Sequence, residues 1–154
     1  MTEQDTFDEE RAVEFLLAFA KSPDRAGAAR VAHTLGCRML SLAHASACFK
    51  QAPQTSFDTY AAALDNLIQS APDIEGCPAS VYASTCLSLQ LANQLAPEAE
   101  TVFSILAFMH KDRFPIGALV AAKMIEGGPL GAAVNALARV ALVEPSQIEN
   151  EQPA

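Results

Sequence analysis

Tryptophan is absent from this 154-residue chain, and basic side chains are scarce: 10 Lys plus Arg stand against 18 Asp plus Glu, a net charge of −8. Binding to a phosphate backbone rests on clustered cations, so nucleic acid is excluded as the main partner. No apolar run approaches the ~18 residues of a membrane span. The acidic opening, with Glu3, Asp5, Asp8, Glu9 and Glu10, is the opposite of the cationic start of a signal peptide. A cytoplasmic location, away from membranes, is the resulting expectation. Cys37, Cys48, Cys77 and Cys86 form no Cys-x-x-Cys pair, so reduced, mostly buried thiols are expected rather than a disulfide frame or a zinc knuckle. Neither a dinucleotide fingerprint nor a phosphate loop occurs, and no catalytic motif is visible. The expectation is a chain without enzymatic activity and without a cofactor.

What is present is apolar bulk. Hydrophobic residues make up 51% of the chain, which excludes collagen, low-complexity and wholly disordered classes. The length suits one domain or two small packed subdomains with a real core. Apolar residues recur at three- and four-residue spacing almost throughout, which predicts an all-α fold of about eight short helices.

Helical periodicity covers about 8–21 (Phe15, Leu16, Phe19), with acids in the first turn. It resumes after Pro23-Asp24, running through Ala28, Val31 and Leu35 to Gly36, a C-terminal cap by residue type. Leu40, Leu42 and Ala47 carry a third helix to about 51. A fourth over 56–70 has a hydroxyl N-cap at Thr55-Ser56 and apolar positions at Tyr60, Leu64, Leu67 and Ile68. Two prolines and a glycine within 71–78 mark the best internal boundary. The expected division is 1–72 as an N-terminal helical subdomain, 73–143 as a C-terminal one, and 144–154 as a flexible tail. In the second unit, 79–95 reads as a long helix with Val81, Tyr82, Leu87, Leu89, Leu91 and Leu95. The nearly continuous apolar run from Ala99 to Phe108 reads as its central helix. A short helix at Ile116–Met124 and a last one from Leu130 to Leu142 complete the count.

Few residues suggest chemistry. His33 and Cys37, and likewise His44 and Cys48, are four apart, a metal-ligand spacing on a helix. Gly36 breaks the first pair and neither has a second pair nearby, so core or boundary side chains are expected and no metal. Asp65, Asp73 and Glu75 lack a partner base or nucleophile and read as solvated acids. Gly127-Gly128-Pro129-Leu130-Gly131 lacks the Lys of a phosphate loop and reads as a turn. The stripe Phe103, Leu106, Phe108, Phe114 reads as core before partner surface. Arg139 alone on the last helix excludes a DNA-reading role.

Two segments carry a family resemblance. Ala29–Ala45, containing Leu35-Gly36-Cys37-Arg38-Met39-Leu40-Ser41-Leu42-Ala43, is similar to the Leu-Gly-x-Leu-Pro-Leu-Ala-Leu stretch that opens the small helical domain of NB-ARC-class STAND NTPases, and Ser56–Tyr60 resembles the helix start that follows. Ala96–Pro115 resembles the first helix of that family's winged-helix domain, and Ala133–Val143 its third. In this chain Met39 replaces the family's nucleotide-touching proline, Arg38 replaces an apolar residue, and the wing, the sensing histidine and the nucleotide-binding domain have no counterpart. The resemblance implies a winged-helix-like second subdomain with an incomplete wing. It also implies a regulatory module that closes against an NTPase domain and swings away on activation. Its expected partner surface comprises Met39, Leu40, Phe108, Phe114 and Pro115, facing a protein partner or the missing NTPase domain. The alternative is a free-standing helical adaptor that holds a partner helix in an apolar groove.

Charge is concentrated at the ends. Six of the 18 acids lie in the first 14 residues and three in the last 11, whereas 15–143 hold nine acids and nine bases. A near-neutral helical body suits a packing or partner-binding module.

Overall fold

The structure, a computed structural model, describes residues 6–108 and 127–143. Among these residues there are seven helices and no strand: α1 (Glu9–Ala20), α2 (Arg25–Thr34), α3 (Met39–Gln51), α4 (Phe57–Ser70), α5 (Ala79–Leu95), α6 (Ala99–Phe108) and α7 (Gly127–Arg139). The expected short helix at Ile116–Met124, the side chain of Phe108, and Phe114 and Pro115 lie outside the described residues, as does the expected tail.

Local chemistry accounts for most helix ends. The Asp8 carboxylate accepts the Arg11 N–H at 2.8 Å, Asp24 accepts the Gly27 N–H at 2.9 Å, and the Ser56 hydroxyl accepts the Thr59 N–H at 3.1 Å. Each satisfies one of the orphan donors of a first turn. α2 ends in a Schellman motif: Cys37 N–H donates to the Ala32 carbonyl at 2.9 Å and Gly36 N–H to His33 at 3.0 Å, with Gly36 left-handed at φ 63°. α7 ends in the same way, through Leu142 N–H to Leu137 and Ala141 N–H to Ala138, but the left-handed position is Ala141, at φ 61°. α6 is held by a reciprocal pair: Asn93 Oδ1 accepts the Glu100 N–H at 2.8 Å, and Asn93 Nδ2 donates to the Glu100 carboxylate at 2.9 Å.

Two hydrophobic clusters form. Leu16, Val31, Leu35, Leu42, Phe49, Phe57 and Leu64 build the first, drawn from α1 to α4, and Ala83 of α5 joins them. Ala92, Val102, Leu130, Leu137 and Val140 build the second from α5, α6 and α7. Each large aliphatic side chain so buried contributes about 1.5–3 kcal/mol. Leu91 packs against both clusters, and α5 contacts α3, α4, α6 and α7. Among the described residues, α5 is the helix common to both clusters.

The buried face of α5 also differs from its apolar spacing. Ala83, Ser84, Ser88 and Ala92 are buried, whereas Leu95 is exposed and Val81, Tyr82, Leu87 and Leu89 are only half-buried. Ser84, Ser88 and Ala92 lie four apart and so share a stripe. Small side chains there let the neighbouring backbones approach closely.

Candidate functional site

The helical register brings the chemically capable side chains to the seam between α3 and α5. His44 and Cys48 are one turn apart on α3, and Ser84 and Ser88 one turn apart on α5, so the pairs meet rung by rung. His44 Nδ1 lies 3.1 Å from Ser84 Oγ, and Cys48 Sγ lies 3.6 Å from Ser88 Oγ. All four side chains are buried.

The backbone carbonyl of Ala141, just past α7, lies near the His44 ring and favours its protonated form. A neutral imidazole carries one ring proton, so Nδ1 accepts the Ser84 hydroxyl in one tautomer and donates to it in the other. Ser84 has a second choice, because its Oγ is also 3.1 Å from the Val81 carbonyl. Burial pushes the His44 pKa below its ordinary value, and the Ala141 carbonyl partly offsets this. The ring is therefore a neutral connector joining α3, α5 and the end of α7.

A histidine and a serine at this distance have the spacing of a base and a nucleophile. Their setting does not suit that work. Ser84 is 0% and His44 3% exposed, and no carboxylate is among the groups that act on the ring to stabilise an imidazolium. Burial likewise raises the Cys48 thiol, with the Ser88 hydroxyl opposing. Cys48 is thus a protonated, unreactive thiol at neutral pH.

The other sequence candidates fall apart in space or into structural roles. His33 is exposed on α2, whereas the half-buried Cys37 thiol donates to the Ala32 carbonyl at 3.6 Å. Burial, then the carboxylates of Glu9 and Asp8, raise its pKa. No cluster of three or more His, Cys, Asp or Glu side chains suited to a metal ion occurs among the described residues. Asp65 pairs with Arg30 at 3.3 Å, and the same guanidinium reaches Asp58 at 3.7 Å, tying α2 to α4. Asp73 and Glu75 are exposed in the α4–α5 loop. Phe103 and Leu106 are half-buried against the second cluster. Gly127–Gly131 form the first turns of α7 rather than a separate loop. No described helix is long and apolar enough to cross a membrane.

Met39 and Leu40, the two described members of the expected partner surface, stand on the first turn of α3, 45% and 55% exposed. Sequence reasoning did not find Ser84, Ser88 or Tyr60 as polar residues of interest. The four-residue spacing of the two serines within an apolar helix was the available signal for the first two. Tyr60 is 4% exposed in the first core, and its hydroxyl has no hydrogen-bond partner among the described residues.

Comparison of the chain with models of protein families, with curated proteins and with solved structures finds no match. The functional reading therefore rests on these residues and their geometry.

Proposed function

We propose that the chain is a non-enzymatic protein-interaction module and that Met39 and Leu40 belong to its partner-facing surface. The observation that supports this reading most is their exposure. Two large apolar side chains adjacent in sequence stand about half in water, while the reactive groups of the seam are enclosed and bonded to one another. Exposed apolar surface of this kind is where association gains free energy.

The partner we propose is the nucleotide-binding domain of a STAND-type ATPase, with α6 and α7 serving as the first and third helices of a winged-helix-like unit. What supports this is the resemblance of the segment Ala29–Ala45, which contains both exposed residues. A photo-crosslinking amino acid placed at Leu40 tests it in cells. A crosslinked partner that carries a phosphate-loop motif, lost when Met39→Asp is added without change in thermal unfolding, is the expected result. A partner without that motif overturns the ATPase part, and no crosslink overturns the surface. The chain alone is expected to show no binding heat with ADP or ATP, and micromolar affinity for either contradicts the reading.

A further inference from the structure

A second feature lies apart from the Met39–Leu40 surface and meets the seam at Cys48. Between the end of α3, the loop after it, α4 and the second half of α5 is a cleft of about 230 Å³. Cys48 and Tyr60 line it, Leu87 and Leu91 give it an apolar wall, and Gln90 and Gln94 are among its polar residues. None of its lining residues carries a charge. The volume is below the ~300 Å³ at which drug-sized ligand pockets begin, so a nucleotide is too large for it.

Tyr60 makes this cleft more than a surface depression. Its ring packs against Phe49 with centroids 5.0 Å apart, so it is held in place. Its hydroxyl is a buried donor with no acceptor among the described residues, a state that buried polar groups seldom keep. Burial, followed by the nearby Cys48 thiol, raises its pKa well above the ordinary tyrosine value, so it stays a neutral donor. The hydroxyl itself is covered, so a ligand reaches it only when a lining side chain turns aside; Gln54, Thr59, Gln90 and Gln94 are the exposed ones.

We propose that this cleft binds a small uncharged molecule with an apolar body and a carbonyl oxygen, the oxygen accepting a hydrogen bond from the Tyr60 hydroxyl. The uncharged lining disfavours carboxylates and phosphates, whose charge no cation of the cleft would offset. Leu87 and Leu91 take the apolar body. The proposal is independent of the interaction-module reading, since it uses none of the residues of that surface.

ε-Caprolactam is a suitable probe: uncharged, apolar in its ring, with one amide carbonyl and no absorption where tyrosine absorbs. The chain has no Trp and two Tyr, so Tyr82→Phe leaves Tyr60 as the sole reporter in ultraviolet absorption. The expected result is a saturable shift of that absorption with millimolar affinity. Amide chemical-shift titrations should then show Tyr60→Phe binding about fivefold more weakly, the worth of one hydrogen bond. Ala63→Phe, which fills the cleft from its lining, should abolish binding if Tyr60→Phe disturbs the fold. Hexanoate, an anion of similar size, should not saturate. A non-saturating lactam response, unchanged affinity in both variants, or equal binding of hexanoate overturns the proposal.

Discussion

Gly27 of α2 and Phe57 of α4 are in such close contact that a Cβ on the glycine would stand 2.8 Å from the Phe57 Cβ and would also collide with the Asp24 carboxylate. Phe57 is itself enclosed in the first core, and Asp24 caps the helix that Gly27 belongs to. Neither neighbour can withdraw without losing packing or a cap. Gly27→Ala should therefore lower stability by about 1–3 kcal/mol, against the ~1 kcal/mol that helix propensity alone would add. Urea denaturation measures it. A midpoint equal to or above the wild type would show that α2 and α4 separate at no cost.

The His44 connector gives stability a pH dependence of definite sign. Its pKa is depressed in the folded chain, so the unfolded state binds the proton first as pH falls. The contribution is fully present above the ordinary histidine value of 6.5 and is lost as pH drops from there through the folded value. Between about pH 8 and about pH 5.5 the wild-type urea midpoint should fall more than that of His44→Gln. Parallel curves for the two proteins would refute a neutral His44.

Ala141 occupies a left-handed position at φ 61° that glycine adopts freely. Ala141→Gly should raise stability by about 0.5–1 kcal/mol, because the steric penalty on a Cβ there disappears. Its control is the exposed Ala132 within α7, where Ala132→Gly should lower stability by about 1 kcal/mol. Thermal unfolding of the pair decides it, and shifts of the same sign would contradict the assignment.

Asn93 holds the first turn of α6 through its two bonds to Glu100. Asn93→Ala should cost about 1–2 kcal/mol, and the loss should be local. Hydrogen exchange should speed up in α6 while α2 and α3 keep their protection. A uniform increase across all helices would point to a global role instead.

Helical class and most helix ends were legible in the sequence because they depend on neighbours a few residues apart. Asp8, Asp24, Ser56 and Gly36 act within one turn of themselves, and each sits at the helix end that its chemistry suggests. The buried face of α5 was not legible. Its large residues Val81, Tyr82, Leu87, Leu89, Leu91 and Leu95 scatter round the helix and define no face by spacing, whereas the packing of α3 selects Ser84 and Ser88, and that packing is a property of two helices 40 residues apart in the chain. Leu40 shows the same limit: it belongs to the apolar spacing of α3, but it is exposed because nothing described packs over that turn. Tyr60 read as one more core aromatic, since a hydroxyl without a partner is a fact about surroundings and not about residue type.

The sharing of α5 governs how the chain melts. Its first turns complete the core built by α1 to α4 and its later turns complete the core built with α6 and α7. Unwinding the last turns of α5 exposes Leu91 to water on behalf of both. Local opening of α6 leaves the first core intact, but complete loss of α5 removes part of both cores, so a single cooperative transition is expected, with helix loss and tyrosine exposure coinciding at one midpoint.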